Sequence, residues 1–226
     1  MTTVSIHQPN FLPWSGYFSK IANSDVFVFL DDVKCSKNSY VNRNRFSTNE
    51  TWFWLGIPLS KKSYSKSINE VLFEGSCLTK SIKYLKMNHS KKSHEQKIVQ
   101  EIVDIFSFYS QKDKVSLSDF NIECIKAVCQ FLDIDTHIER SSNLRLDREK
   151  KKQDLVIEIS KNLGATTYLS GRGAADYQKI ETFQDHDLAL KYTDFLPSRK
   201  DYVGDVCTSI VDCFLREKRE SIKNRM

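Results

Sequence analysis

A chain of 226 residues, 40% of them hydrophobic, is long enough to form one domain with a substantial core. It has no stretch near the ~20 apolar residues of a membrane-spanning helix. The formal net charge is +5, but the 34 basic residues are spread among 29 acidic ones, and the short basic clusters lack the interleaved aromatic residues that stack on nucleobases. We therefore predict a single domain over residues 1–226, without membrane insertion and without a nucleic-acid partner.

The six cysteines show no Cys-x-x-Cys spacing, and a domain of this size does not need disulfides. The first residues lack the basic leader and the uninterrupted apolar stretch of a secretory signal. We therefore expect reduced thiols and a cytoplasmic location.

The N-terminal region predicts a βαβ unit. Residues 2–6 are β-prone, and Pro9 ends this strand near His7, because a residue that precedes proline avoids helical backbone. A helix then begins near Trp14, on apolar residues that recur at spacings of three and four. Five consecutive large apolar residues at 26–30 predict a strand that is buried on both faces, as in a parallel sheet covered by helices.

Polar residues follow both of these strands. Open α/β sheets bind ligands beyond the carboxyl ends of their strands, and here these ends carry His7 and Gln8, then Asp31 and Asp32. Because side chains alternate along a strand, we expect one aspartate to face the cleft, where it orients His7, binds a sugar hydroxyl or holds Mg²⁺. Capping the strand end and starting a turn is the competing interpretation.

A small β-excursion is predicted over residues 37–74. The runs at 51–59 and 68–73 are both β-prone, and we expect them to pair with each other. Residues 76–133 then show helical periodicity, which predicts an insertion of three helices.

The chain then returns to the sheet. The predicted elements are a strand at 137–140, a helix at 149–162 ended by Gly164, strands at 166–169 and 188–192, and a closing helix at 208–215 with Thr208 near its cap. The fold class is therefore α/β, in three layers, with a mainly parallel, Rossmann-like sheet.

The turn formed by Ser170, Gly171 and Arg172 repeats the strand, turn and helix arrangement of the opening, with a helix predicted near residue 174. Glycine allows close approach of the backbone, while helix N–H groups and a guanidinium attract an anion. We expect substrate contacts here rather than an acylated serine, because Ser170 lacks the Gly-x-Ser-x-Gly pattern.

Arg43 and Arg45 are two residues apart and share one face of an extended segment. Two planar guanidinium groups can bind a diphosphate, and a salt bridge with the neighbouring aspartates is the competing use. Tyr17 is a further candidate substrate contact, because its hydroxyl needs a partner if it is buried. The helical spacing of Trp14 and Tyr17 more often indicates core packing.

Several stretches closely resemble the WbqC-like family, and together they span nearly the whole chain. They are His7-Gln8-Pro9-Asn10 with Pro13-Trp14 and Gly16-Tyr17-Phe18, the run from Asp25 to Val33, Asn42-Arg43-Asn44-Arg45, Tyr168-Leu169-Ser170-Gly171 and Ser209-Ile210-Val211-Asp212.

The resemblance implies a pathway and, through it, a reaction. Members of this family are similar in being encoded among bacterial O-antigen and other surface-polysaccharide genes, often beside enzymes that make amino-sugar nucleotides. We therefore expect a transferase of lipopolysaccharide biosynthesis that moves an acyl or aminoacyl group, glycyl included, to the amine of a dTDP- or UDP-linked amino sugar.

Amide formation requires the attacking ammonium to lose a proton. We predict His7 as the general base, since the unperturbed histidine pKa of ~6.5 suits neutral pH, and Asp32 as a second catalytic residue. Gln8 and Asn10 would orient polar groups of the substrate. A hydrogen bond from His7 to its own loop is the alternative role.

Two other functions remain open at this point. The N-terminal strand, loop and helix are similar in part to those of the nucleotidyltransferase and class I synthetase group. That group carries a His-x-Gly-His pattern, whereas here His7 is the only histidine of the region. ATP with Mg²⁺, or an activated acyl donor, are therefore the open cofactor choices. A non-catalytic ligand-binding or assembly factor in the same pathway is the alternative of another class.

Overall fold

The structure is a computed structural model that describes residues 1–48, 51–88, 94–147 and 149–226, except for the side chain of Tyr177. The strands over these residues are β1 (Thr3–His7), β2 (Val26–Phe29), β3 (Arg43–Ser47), β4 (Trp52–Gly56), β5 (Leu72–Phe73), β6 (Val115–Ser116), β7 (His137–Arg140), β8 (Thr167–Ser170), β9 (Ala189–Tyr192), β10 (Tyr202–Val203) and β11 (Val206–Cys207). The helices are α1 (Ser15–Ala22), α2 (Thr79–Asn88), α3 (Gln96–Ser110), α4 (Leu117–Phe131), α5 (Lys152–Asn162), α6 (Ile180–Gln184), α7 (Ile210–Cys213) and α8 (Arg219–Lys223).

A five-stranded parallel sheet in the order β7-β2-β1-β8-β9 forms the centre of the fold. Side chains alternate between its two faces: Phe27 and Phe29 of β2 pack with α1 and α4, whereas Val28 packs with α5 and α6. Helices thus cover both faces, and the predicted three-layer, Rossmann-like fold is confirmed.

The direction of winding changes between β1 and β8. From β1 the chain adds β2 and then β7 on one side, and it later adds β8 and β9 on the other. In doubly wound sheets this switch point is where a crevice forms at the carboxyl ends of the strands.

Strands β1 and β8 separate toward that edge. β1 pairs with β2 as far as His7↔Phe29, but its register with β8 covers only Thr3↔Thr167 and Val4↔Tyr168. β8 continues in register with β9 to Ser170↔Tyr192. The last residues of β1 and β8 therefore border a gap.

The excursion differs from the prediction in one respect. β3 and β4 form an antiparallel hairpin, but the predicted pairing of 51–59 with 68–73 is wrong. Ser67 and Glu70 form a capping box that favours a 3-10 turn over Ile68–Glu70, and the short β5 pairs instead with β6.

Residues 76–133 contain the helices α2, α3 and α4. Phe106 of α3 and Phe120 of α4 pack against Phe11, with ring centroids 5.9 and 6.4 Å away. The insertion and the loop that follows β1 therefore share one hydrophobic core.

Three further predictions need adjustment. The turn after β8 continues as a 3-10 helix over Arg172–Tyr177 rather than an α-helix. The closing helix is shorter than predicted, and its N-cap is Ser209, whose side chain accepts a hydrogen bond from the N–H of Val211, rather than Thr208.

All six cysteines are free. In the part of the chain that the structure describes, no helix has the length and apolar character to span a bilayer.

Candidate functional site at the carboxyl edge of the sheet

The loop after β1 is held by amide side chains from two other elements. Asn121 of α4 donates a hydrogen bond to the carbonyl oxygen of Pro9 at 2.8 Å, and Asn44 of β3 donates to that of Leu12 at 2.7 Å. Leu12 has a φ of 39°, a left-handed conformation that costs a residue with a side chain ~1–2 kcal/mol. The hydrogen bonds from Asn121 and Asn44, together with Pro9 and Pro13, therefore fix the shape of the loop.

His7 ends β1 at the mouth of the gap and is half-buried. Its Nδ1 lies 3.2 Å from the carbonyl oxygen of Gln8, and its ring packs edge-on against Tyr17 with 4.8 Å between centroids. The hydroxyl of Tyr17 donates to the same carbonyl at 2.9 Å. Because the carbonyl can only accept, Nδ1 carries the proton and Nε2 presents a lone pair.

Burial lowers the pKa of His7 to about 3, and the positive charge of Lys20 acts in the same direction. The imidazole is therefore neutral at physiological pH. A base with so low a pKa accepts protons poorly, and efficient general bases have pKa values near the operating pH. The environment favours His7 as a neutral hydrogen-bond acceptor.

Lys20 is the residue of this region that the sequence analysis missed. It lies on α1, is only 5% exposed, and its Nζ donates a hydrogen bond to the carbonyl oxygen of Ile6 at 2.7 Å. Burial lowers the pKa of Lys20 to about 7. Its position three residues after Tyr17 was the available signal, because that spacing places it beside the buried face of the helix.

Asp31 and Asp32 point to different sides of the strand end, as the alternation of side chains predicts. Asp31 is the one that points inward. Its fully buried carboxylate accepts hydrogen bonds from the N–H and the hydroxyl of Ser142 at 3.1 and 3.0 Å, and from Ser141 at 3.3 Å. These bonds join the ends of β2 and β7 and favour an internal role for Asp31, whose contact with substrate stays a prediction.

Asp32 is half-buried and accepts a hydrogen bond from Ser141. In the described structure neither it nor Asp31 hydrogen-bonds to His7, which Gln8 and Tyr17 orient instead. No cluster of three or more metal-ligating side chains occurs among the described residues, and the hydrogen bonds on Asp31 occupy its oxygens. Asp31 therefore has no free oxygen for the Mg²⁺ considered at this edge, and Asp32 is the carboxylate of the pair that could hold one.

Gln8 and Asn10 lie in the loop that follows His7, and their side-chain amides have no hydrogen-bond partner among the described residues. Gln8 is half-buried and Asn10 is 8% exposed. Both remain candidates to orient a polar ligand.

The turn after β8 lies at the other side of the gap. Ser170 is buried, and its hydroxyl makes one long hydrogen bond, 3.4 Å to the carbonyl oxygen of Gly171. Open space lies beside Gly171, where an added Cβ would meet nothing within 4 Å. The exposed Arg172 turns away toward β9, where it donates to the carbonyl oxygen of Thr193 and pairs with Asp194.

Arg43 and Arg45 share one face of the β3–β4 hairpin with aromatic side chains. The guanidinium of Arg43 lies 4.2 Å from the ring centroid of Trp54, and that of Arg45 lies 5.2 to 5.6 Å from Trp54, Trp52 and Tyr40. The alternative prediction, a salt bridge with the aspartates, is not observed, since neither arginine pairs with a carboxylate among the described residues.

This hairpin face adjoins the loop after β1. The N–H of Phe11 donates to the carbonyl oxygen of Tyr40 at 2.9 Å, and Gly56 lies opposite Arg43, where any Cβ would fall 2.5 Å from that of Arg43. Trp54 and Tyr40 are 36% and 40% exposed, so rings and guanidinium groups together face outward.

A cleft of about 750 Å³ lies elsewhere, at the amino end of β7. It is lined by residues such as Asp133, Asp135 and His137 and contains none of the predicted site residues. His7 and Ser170 end β1 and β8 at the carboxyl edge and Asp32 follows β2 there, with Gln8, Asn10 and Gly171 next along the chain and Lys20 bonded to Ile6 of β1. The cleft opens on the opposite edge of the sheet.

The chain matches the model of the WbqC-like protein family over residues 8–224. It is also similar to an uncharacterised protein of Mycobacterium tuberculosis, Rv1507c, with 29% identity over 197 residues that cover 86% of this chain and 83% of the relative. No solved structure matches the chain significantly.

Proposed function

The chain belongs to the WbqC-like protein family, and from this premise we propose that it transfers an acyl or aminoacyl group to the amine of a nucleotide-linked amino sugar. Glycyl is one candidate group, and a dTDP- or UDP-linked sugar is the expected acceptor. The proposal places the protein in the cytoplasm, in the biosynthesis of bacterial surface polysaccharide such as O-antigen.

The observation that carries the proposal is the crevice at the switch point of the sheet. The neutral imidazole of His7 ends β1 there, the loop that follows carries the amides of Gln8 and Asn10, and the buried amine of Lys20 contacts the Ile6 carbonyl on the side of β1 that faces β8. Amide formation needs an aligned amine and a polarised carbonyl group, and these side chains supply hydrogen-bonding groups for both.

His7 presents the lone pair of Nε2 toward the substrate amine, while Gln8 and Asn10 orient the sugar or the acyl carbonyl group. With a pKa lowered to about 3, His7 acts first as an acceptor that aligns the attacking nitrogen. Its role as general base remains a prediction, since a bound anion beside it would raise its pKa.

Arg43 and Arg45 bind the diphosphate in this proposal, and the exposed ring of Trp54 stacks on the base. Planar guanidinium groups match phosphate oxygens, and these two pair with no carboxylate of the described residues. Exposed aromatic rings match a nucleobase. Asp32, Ser170 and Gly171 keep their predicted roles at the edge of the site, and Arg172 would exchange its exposed pair with Asp194 for the substrate. Tyr17 acts instead through the loop, because its hydroxyl holds the carbonyl group of Gln8.

A non-catalytic ligand-binding factor in the same pathway is the second candidate. The low pKa of His7, and the absence of a hydrogen bond from either aspartate to it within the described residues, favour this function. Both functions use the same ligand and the same crevice.

The deciding experiment incubates the protein with dTDP- and UDP-linked amino sugars, acyl-CoA or free amino acid, and ATP, with mass spectrometry as the readout. Transfer adds the mass of the acyl group to the nucleotide sugar. His7→Ala should fold and bind the nucleotide sugar but lose turnover. Binding without turnover across all donors would favour the second function, and absence of binding would remove both.

A further inference from the structure

The backbone of β1 shows which way the Ile6 carbonyl points. The carbonyl oxygens of Thr3 and His7 accept hydrogen bonds from the β2 side, from Asp25 and Leu30, whereas that of Thr2 accepts from Thr167 on the β8 side. Carbonyl groups alternate along a strand, so the Ile6 oxygen points toward β8. No strand partner reaches it there, because the register of β1 with β8 ends at Val4.

The amine of Lys20 occupies this gap. Its Nζ lies 2.7 Å from the Ile6 oxygen and 6.0 Å from the ring centroid of Tyr168 on β8. The side chain therefore extends from α1 to the space between the two central strands, immediately below His7.

Lys20 has no counter-ion among the residues that the structure describes. An ammonium has three N–H donors, yet the structure gives Nζ only the Ile6 acceptor, and no carboxylate of the described residues lies within 4 Å of it. The titratable groups that the described structure places near it are His7 on β1 and Tyr168 on β8, and neither is a carboxylate. Unpaired buried charges are costly, and proteins normally pair them.

We propose that Lys20 is the anion-binding residue of the crevice, and that a carboxylate or phosphate group of a ligand supplies the missing negative charge. The ligand enters between His7 and Gly171, where Gln8 is half-buried and open space lies beside the glycine. This inference rests on the proposed function for its biological meaning, since an acyl donor or a phosphorylated substrate would bring the anion.

Binding of an anion should be coupled to protonation of the amine. An opposite charge within ~4–6 Å favours the charged form of an amine, so the midpoint of its titration rises when the anion binds. Acetate and inorganic phosphate are suitable probes, because they separate a carboxylate ligand from a phosphate ligand.

The experiment follows the side-chain carbon next to Nζ by NMR in full-length protein labelled at lysine. The Lys20 signal is identified by its absence in Lys20→Met or Lys20→Arg. Saturating acetate or phosphate should raise the titration midpoint of Lys20 by about one pH unit or more, which corresponds to about tenfold tighter binding to the protonated form. Lys86→Met, on the exposed face of α2, is the matched control and should change nothing.

A response to acetate alone assigns a carboxylate, and a response to phosphate alone assigns a phosphate. A midpoint that neither anion moves overturns the proposal, as does equal anion affinity in wild type and Lys20→Met. If the protein catalyses transfer but neither anion moves the titration midpoint of Lys20, only this inference is refuted. If an anion moves the midpoint but no transfer occurs, only the proposed transferase function is refuted.

Discussion

The side-chain amide of Asn44 donates a hydrogen bond to the carbonyl oxygen of Leu12, 2.7 Å away, and so holds the strained residue of the loop after β1. A second, longer bond of 3.3 Å joins the same amide to the carbonyl oxygen of Phe11. Because Asn44 lies on the hairpin that also carries Arg43 and Arg45, this contact links the hairpin face to the loop that follows His7.

Replacement of this amide tests the link. Asn44→Ala removes the two donated hydrogen bonds, which leaves buried carbonyl groups unpaired, and also the bond that its Oδ1 accepts from the N–H of Arg45. The free energy of unfolding should therefore fall by about 1–3 kcal/mol. Urea denaturation measures the change. Asn162→Ala removes one long bond at an exposed position and should cost less than about 0.5 kcal/mol. Equal effects of the two substitutions would show that the loop does not depend on Asn44.

Asp31 is expected to stabilise the fold rather than to bind substrate. Asp31→Asn places an amide among donors that need an acceptor, and it should lower the free energy of unfolding by about 2–3 kcal/mol. The exposed Asp113→Asn is the control and should have little effect. An Asp31→Asn protein of unchanged stability but much higher KM would contradict this assignment and restore Asp31 to the binding site.

Arg45 should contribute to nucleotide affinity through its planar group. Lysine carries the same charge but can neither stack on Trp54 in the same way nor donate two parallel hydrogen bonds. Arg45→Lys should therefore weaken UDP binding at least about tenfold, or about 1.4 kcal/mol, in calorimetric titration. Arg199→Lys, at an exposed position, should leave the affinity unchanged. Undiminished UDP binding by Arg45→Lys would place the nucleotide elsewhere.

The low pKa of His7 predicts how stability depends on pH. The folded protein has a His7 pKa of about 3 and the unfolded chain has 6.5, so the unfolded chain binds more protons between these values. Stability should rise with pH across this window and decline as the pH falls through it. Urea unfolding at several pH values gives the free energy of unfolding as a function of pH. This free energy should change less steeply with pH in His7→Gln than in wild type, whereas the exposed His186→Gln should retain the wild-type pH dependence. An identical pH dependence in all three proteins would mean that His7 is not desolvated.

The sequence was sufficient to predict the central sheet. The apolar run at 26–30 and the β-prone opening correspond to β2 and β1, and the strand at 137–140 is β7. The prediction of β2 succeeded because strands buried on both faces have long apolar runs that few other elements share. The pairing of 68–73 was wrong because the capping box of Ser67 and Glu70 outweighs the β propensity of the residues that follow.

The site was predictable only where it lies at strand ends. His7, Asp32 and Ser170 follow adjacent strands, and the rule for parallel sheets locates such residues. Lys20 was missed because a lysine on a short amphipathic helix is normally solvated, whereas α1 is buried from Ser15 to Ile21 between the sheet and the insertion. The spacing from Tyr17 places Lys20 beside the buried face of the helix, but its full enclosure depends on tertiary packing.

The most direct test of the account locates the ligand. Backbone amide NMR spectra of the protein, recorded during titration with a UDP-linked amino sugar, should shift first at His7, Gln8 and Asn10 and at Ser170 and Gly171, on both sides of the gap between β1 and β8. Shifts confined to residues 126–138, around the cleft at the amino end of β7, would contradict the claim that the carboxyl edge of the sheet is the functional site.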